Sequence, residues 1–192
     1  MKKNIIAIVI LLGLVSWGIY DTMKKNNAVK ASLASSEQVI EGLDMSSLTI
    51  GINKGNIAPE FELKTLDGES VKLSDFRGKK LIVNMWATWC PPCRAEMPDM
   101  QKFYDKYKDE DVAILSVNMT TSEKSVDDIS KFLNEFEITF PVVLDEENKV
   151  AMTYQTFSLP TSYIIDSKSI IQQKVTGPMN YEMMDKMISE IQ

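Results

Sequence analysis

Two cysteines, Cys90 and Cys93, are the residues of this 192-residue chain whose type and spacing favour a chemical reaction. They are its only cysteines, and chance would place two cysteines three positions apart only roughly 1% of the time. A thiolate attacks a disulfide, and a second thiol nearby can resolve the mixed disulfide that forms. The pair therefore predicts thiol–disulfide exchange, with Cys90 as the nucleophile and Cys93 as the resolving thiol.

Two other roles for this pair stay as alternatives. A purely structural disulfide would close a very short loop, which removes roughly 2 kcal/mol of unfolded-state entropy against about 5 kcal/mol for a loop of about 100 residues. A zinc site would need carboxylates to complete its ligand set, because the chain has no histidine. Neither role explains the spacing as directly as a redox reaction does.

The absence of histidine and the net charge of -6 exclude several functional classes. A Cys–His protease, a Ser–His–Asp hydrolase and a two-His zinc site cannot be built without histidine. The basic residues are scattered among carboxylates, so the sequence has no concentrated basic face for nucleic acid. Twelve methionines could suggest copper, but the helical spacing of Met183, Met184 and Met187 favours core packing. We expect no metal and no cofactor.

The dithiol lies between a predicted strand and a predicted helix. Residues 81–86 are an apolar run broken only by Asn84, as is typical of a buried strand, and residues 93–108 show a helical pattern. Unpaired N–H groups at a helix start favour a thiolate at Cys90. Pro91 and Pro92 cannot donate to that sulfur, so the N–H of Cys93 is its nearest backbone donor and the activation should be moderate.

The remaining elements alternate between strands and helices, which indicates an α/β sheet covered on both faces. A hairpin is expected between residues 61–63 and 71–73, with Asp67-Gly68 at its turn. Further strands are predicted over residues 112–117, 141–145, 161–165 and 170–175, and further helices over 125–136 and 180–191. The last helix should turn four side chains inward, those of Met183, Met184, Met187 and Ile191.

The N-terminal segments have a different character. The segment of residues 1–4 is short and basic and is expected in the cytoplasm. The uncharged run 5–20 ends in aromatic residues, as a transmembrane signal-anchor does. No small-residue cleavage site follows closely, which favours an anchor over a cleaved signal sequence. Residues 21–52 are polar and are predicted to be a tether, and residues 53–192 a single domain on the extracytoplasmic side.

The sequence around the dithiol resembles a known family. Residues 83–93, Val-Asn-Met-Trp-Ala-Thr-Trp-Cys-Pro-Pro-Cys, are similar to the active-site segment of thioredoxins. Further segments resemble the membrane-tethered ResA/TlpA branch, namely residues 58–61, 73–79, 96–98, 140–145 and 159–161. The resemblance covers about residue 53 to the C-terminus and implies a thioredoxin fold with an N-terminal β-hairpin and a central insert around residues 122–139.

The resemblance also implies roles for individual residues. Pro160 matches a cis-proline that faces the dithiol, although only about 5–6% of X–Pro bonds in folded proteins are cis. Leu159 would then offer its backbone to a bound client, and Trp89 belongs to the active-site motif itself. These three residues are therefore expected beside Cys90 and Cys93.

Asn84 departs from the thioredoxin pattern, in which many members have a buried aspartate at the matching position. An amide cannot accept a proton, so acid–base help for the dithiol must come from another residue. Glu96 matches a family acid and lies three residues after Cys93, on the same face of the predicted helix. The resemblance implies that Glu96 carries the proton of the Cys93 thiol. The alternative is a glutamate that only stabilises a helix start.

The family implies a single-pass membrane enzyme that reduces disulfides in extracytoplasmic client proteins. Its members serve cytochrome c maturation or spore-envelope assembly and take electrons from a membrane protein of the CcdA/DsbD type, and we expect this chain to be a monomer. An oxidising enzyme on the same fold and a thiol peroxidase remain as alternatives. The peroxidase frame Pro-x-x-x-Thr-x-x-Cys is absent, because Val83 and Ala87 precede Cys90. A copper-delivery module of the SCO type would need a histidine.

Overall fold

Seven strands form one mixed sheet in the computed structural model, which describes residues 49–191. The strands are β1 (Glu62–Lys64), β2 (Ser70–Lys72), β3 (Lys80–Trp86), β4 (Val112–Asn118), β5 (Val142–Leu144), β6 (Thr161–Ile165) and β7 (Ile171–Thr176). Their order across the sheet is β2-β1-β5-β4-β3-β6-β7. The predicted α/β class is confirmed, and each predicted strand is present with both ends within one residue of the prediction.

In the described part of the chain four helices pack on the sheet: α1 (Pro91–Tyr107), α2 (Val126–Glu135), α3 (Lys149–Thr153) and α4 (Tyr181–Ser189). Ser125 and Asn180 precede α2 and α4 as N-caps, and their side chains accept hydrogen bonds from the backbone of Asp128 and Met183. The first helix begins two residues earlier than predicted, at Pro91, because proline fits the first turn of a helix. No sequence pattern predicts α3, because its single turn is too short to show a period.

The predicted N-terminal hairpin is confirmed as β1 and β2. The two strands pair in antiparallel orientation with Leu63 opposite Val71, and Gly68 in the turn has a positive φ of 82°. A side chain at that position would be strained, which explains the glycine. The other edge of β1 pairs with β5, so the hairpin extends the sheet, and α2 occupies the predicted insert between β4 and β5.

Strand β3 is held at both edges and on both faces. It pairs in parallel with β4 and antiparallel with β6, and Asn84 lies between Ser116 and Ser162 in this register. Its alternate side chains enter two apolar layers. Trp86 packs in the layer with α1, α2 and α4, and Met85 packs in the layer with α3. The C-terminal end of β3, where the dithiol begins, is therefore fixed in place.

Four side chains of α4 are predicted to face inward, and the prediction is wrong for one of them, Met183. Met184 and Met187 are buried, and Ile191 packs partly against the core, but Met183 is 42% exposed. The buried positions follow helical spacing and define one stripe of α4. Met183 lies about 100° around the helix from Met184 and falls outside that stripe.

The anchor predicted over residues 5–20 lies outside the described residues, as do residues 1–4 and most of the tether predicted over 21–52. Within residues 49–191, no helix has the length and apolar character that a membrane crossing requires.

Candidate active site

Cys90 and Cys93 are joined by a disulfide at the junction of β3 and α1. The sulfur atoms are 2.12 Å apart and the Cα atoms 5.3 Å apart. Cys90 occupies the N-cap position of α1, and its sulfur accepts a hydrogen bond of 3.3 Å from the N–H of Cys93. This is the donor that the sequence predicts, because Pro91 and Pro92 fill the first two helical positions.

The two cysteines differ in their position relative to an open groove. Cys90 lines the groove with 3% of its surface exposed, whereas Cys93 has no exposed surface and packs among apolar side chains of the core. A disulfide or thiol that approaches from solvent therefore meets Cys90 first. The arrangement suits an outer cysteine that reacts with a partner and an inner cysteine that completes the exchange.

The loop before β6 forms the opposite wall of this groove. The Leu159–Pro160 peptide bond is cis, as the resemblance implies, and Pro160 is buried. Leu159 lines the groove together with Trp89 and Cys90. Within residues 49–191 the N–H and C=O of Leu159 form no backbone hydrogen bond, so both groups can pair with an extended segment laid along the groove.

Glu96 lies three residues after Cys93 on α1, in the interior of the protein, with only 1% of its surface exposed. Its Oε1 accepts a hydrogen bond of 2.9 Å from the side-chain amide of Asn84, and its Oε2 accepts one of 3.0 Å from the backbone N–H of Met179. Burial raises the pKa of Glu96 to about 7, although the two hydrogen bonds act in the opposite direction. A carboxyl that titrates near neutral pH can both accept and return a proton.

Asn84 has a structural role that its sequence position does not reveal. The same amide nitrogen that donates to Glu96 also donates to Ser162 in β6, at 3.0 Å. The amide therefore connects α1 to two neighbouring strands of the sheet. It also supplies a hydrogen bond that a buried carboxylate needs, since an unpaired buried charge is very costly.

Glu123 fixes the backbone just before the dithiol. Its Oε1 accepts hydrogen bonds from the backbone N–H of Thr88 at 2.7 Å and from the side-chain amide of Asn118 at 2.8 Å. Its Oε2 accepts from the hydroxyl of Thr88. Hydrogen bonds to a carboxylate are the stronger kind, so this half-buried acid holds Thr88, and with it the approach to Cys90, against the end of β4.

Trp89 is oriented by the same turn. Its indole N–H donates to the hydroxyl of Ser122 at 3.2 Å, and that hydroxyl donates to the carbonyl of Met119 at 2.7 Å. The ring nevertheless remains 54% exposed at the groove. Trp89 is predicted from the sequence, whereas Glu123, Ser122 and the N–H of Met179 are not, since these groups lie far along the chain and no local pattern marks them.

Comparison with known proteins agrees with this geometry. The AhpC/TSA family model matches residues 54–174. The "Thioredoxin-like protein YneN" of Bacillus subtilis is 36% identical over 181 residues, which cover 94% of this chain and 92% of that protein. The "Thiol-disulfide oxidoreductase ResA" of Geobacillus kaustophilus is 40% identical over 137 residues, or 71% of this chain and 77% of the relative. The solved structure of StoA from Bacillus subtilis has a TM-score of 0.60 at 33% identity, covering 67% of this chain and 95% of that one.

These similarities confirm the expected thioredoxin-like fold and the resemblance to ResA proteins. They also agree with a redox role for the Cys90–Cys93 pair, in place of the structural disulfide or zinc site that stayed open on sequence alone.

Replacing Glu96 by glutamine should change how stability depends on pH. Because burial raises the pKa of Glu96 from 4.5 to about 7, the folded protein holds this proton more tightly than the unfolded chain does. The stabilisation of the folded state by this bound proton is complete below pH 4.5 and is lost as the pH rises to about 7. At about 1.4 kcal/mol for each pH unit, the wild-type protein should lose about 3 kcal/mol relative to Glu96→Gln over that range.

Urea unfolding of both oxidised proteins at a series of pH values measures this difference. Glutamine has one acceptor oxygen and satisfies only one of the two donors, but that cost does not vary with pH and appears only as a constant offset. Parallel curves for the two proteins between pH 4.5 and 7 would show that Glu96 titrates normally.

Replacing Glu123 by glutamine should loosen the segment before Cys90. The amide has one acceptor oxygen, so it cannot keep the hydrogen bonds that both carboxylate oxygens receive. We expect the free energy of unfolding to fall by about 1–3 kcal/mol, measured by chemical denaturation. Glu147→Gln is the matched control, since that carboxylate is exposed and pairs with Lys149. An equal effect of both substitutions would contradict a specific role for Glu123.

Proposed function

Because this chain belongs to the AhpC/TSA family and, with its ResA relatives, to the thiol–disulfide oxidoreductases, we propose that it works as a reductase of client proteins. The observation that carries the proposal is the position of the two cysteines relative to the groove. Cys90 lines the groove with 3% of its surface exposed, and Cys93 does not line it and has no exposed surface. A client disulfide can therefore reach the first sulfur but not the second.

The reaction transfers two electrons from the dithiol to the client. The Cys90 thiolate attacks one sulfur of the client disulfide, which breaks and releases one client thiolate. The Cys93 thiol then loses its proton and attacks the sulfur of Cys90, so that the second client thiolate leaves and the Cys90–Cys93 disulfide forms. The client is reduced and the enzyme is oxidised, so each cycle requires two electrons from a donor.

Glu96 is the proposed acceptor of the Cys93 proton. It lies one helical turn after Cys93 on α1, and its carboxyl titrates near neutral pH. Asn84 and the N–H of Met179 hold both carboxylate oxygens, which keeps the group oriented in the interior. Asn84 itself cannot accept a proton, so Glu96 takes the place of the buried aspartate that many thioredoxins have.

The start of α1 supports the reducing direction. A dithiol is strongly oxidising when its reduced, thiolate form is strongly stabilised. At the start of α1, Pro91 and Pro92 offer no N–H, and the N–H of Cys93 is the donor to the sulfur of Cys90. The Cys90 thiolate is therefore only moderately stabilised, which favours a dithiol that gives up its electrons. The oxidising enzyme remains the alternative function.

A thiol peroxidase on the same fold is less well supported. Val83 and Ala87 stand where the peroxidase frame has proline and threonine, and Val83 lies in the buried core of β3. The reacting cysteine is instead paired with a partner three residues away.

The proposed setting follows from the sequence outside the described domain. Residues 5–20 would anchor the chain in the membrane by a single span, with the thioredoxin-like domain of residues 53–192 outside the cytoplasm and residues 21–52 as its tether. Outside is an oxidising compartment, so a membrane electron donor of the CcdA/DsbD type would reduce the disulfide again. Its clients would be proteins of cytochrome c maturation or of spore-envelope assembly.

The reduction potential of the Cys90–Cys93 pair tests the direction. We expect a value nearer the roughly -270 mV of thioredoxin than the roughly -120 mV of the strongest oxidant, measured by equilibration with thiol–disulfide buffers. A potential at the oxidising end would mean that the enzyme forms disulfides in its clients.

Trapping tests the assignment of the two cysteines. A Cys93→Ala variant keeps the nucleophile but cannot resolve the mixed disulfide, so it should accumulate client adducts that disappear on reduction. The Cys90→Ala variant is the matched control and should trap none, because Cys93 is buried. Non-reducing electrophoresis followed by mass spectrometry shows the adducts and identifies the clients. Equal trapping by both variants would contradict the assignment.

A further inference from the structure

Phe157 lies on the rim of the groove with no packing role that explains it. It is 91% exposed, the highest exposure of any large hydrophobic side chain in the part of the chain that the structure describes. It stands two residues before Leu159, in the loop that forms the wall opposite the dithiol. A large apolar side chain left in water at the edge of a reactive site is the kind of feature that marks a binding surface.

Trp89 is the second exposed aromatic side chain on this groove. The hydrogen bond from its indole N–H to Ser122 fixes the ring before any client arrives. Binding against a ring that is already oriented costs little additional conformational entropy. Trp89 is therefore a fixed aromatic surface and Phe157 an unpacked one, and both lie on the groove that Cys90 lines.

The groove has no charged side chain in its lining, although 25% of the whole chain is charged. Its thirteen lining residues are apolar or neutral polar. A charged client side chain would lose hydration there without gaining a partner of opposite charge. An apolar side chain would instead cover both aromatic rings and remove their surface from water.

We propose that Phe157 and Trp89 form an aromatic clamp that selects client segments with an uncharged, large apolar side chain close to the reacting cysteine. The inference rests on the proposed exchange at Cys90 and specifies the class of client that reaches it. The client backbone would lie in extended form along Leu159, whose N–H and C=O have no backbone partner in residues 49–191. Its apolar side chain would then lie between the two rings.

The rates of thiol–disulfide exchange with two peptides test the clamp. Each peptide has one cysteine, held as a mixed disulfide with glutathione, and the two differ only in having leucine or serine at both positions that flank the cysteine. The reduced full-length protein should react about tenfold faster with the leucine peptide than with the serine peptide. This rate ratio is divided by the ratio that dithiothreitol gives with the same two peptides, which corrects for the intrinsic reactivity of the peptides. The use of a ratio within each variant cancels any change in the reactivity of Cys90.

Two variants separate the clamp from a general effect of surface hydrophobicity. Phe157→Ser should bring the leucine-to-serine ratio down to about 1–3, because one wall of the clamp is lost. Met152→Ser is the matched control: it removes an exposed hydrophobic side chain, 72% accessible, that does not line the groove, and it should keep the wild-type ratio.

The outcomes distinguish the inference from the function on which it rests. A wild-type ratio near one, an unchanged ratio in Phe157→Ser, or an equal loss in Met152→Ser would overturn the clamp while leaving disulfide exchange intact. Failure of the reduced wild-type protein to react with either peptide would overturn the proposed function as well.

Discussion

The carboxyl group of Glu96, enclosed between α1 and the sheet, is the constraint around which the site is organised. A buried carboxyl group must find hydrogen-bond donors, since an unsatisfied one is very costly. Its donors come from Asn84 in β3 and from the N–H of Met179 just before α4, and the Asn84 amide extends the network to Ser162 in β6. Satisfying one acid therefore fixes four segments relative to one another, with Cys93 one helical turn away.

A second acid, Glu123, acts on the same site from outside the core. It is half-buried and receives hydrogen bonds from Thr88 and Asn118, so it holds the chain segment that leads to Cys90. The difference between the two acids follows from their surroundings. Glu96 is almost without solvent and its pKa rises to near neutrality, where it can exchange a proton. Glu123 serves as a fixed acceptor that shapes the loop.

The sheet topology brings the two walls of the groove together. Strand β3 lies between β4 and β6, so the turn after β4 and the loop before β6 both end beside the dithiol. The first supplies Ser122, which orients Trp89, and the second supplies Phe157 and Leu159. The chemistry of the site comes from one short segment, while the surface that a client would contact comes from two distant ones.

Local sequence is enough to predict the dithiol, its place between a strand and a helix, and the donor to Cys90. These features depend on groups within a few residues of each other, and helix geometry places the N–H of Cys93 beside that sulfur whatever the rest of the chain does. The periodic strands and helices were predictable for the same reason, whereas the single turn of α3 was too short to leave a pattern.

The surroundings of the residues around the dithiol depend on how distant parts of the chain pack together. The pKa of Glu96 depends on burial and on a donor 83 positions away, and the role of Glu123 depends on Thr88, 35 positions away. The exposure of Met183 depends on which side of α4 meets the sheet, and that of Phe157 on where its loop lies. Burial and long-range pairing are set by how elements pack, so a local pattern can nominate such residues but cannot assign their surroundings.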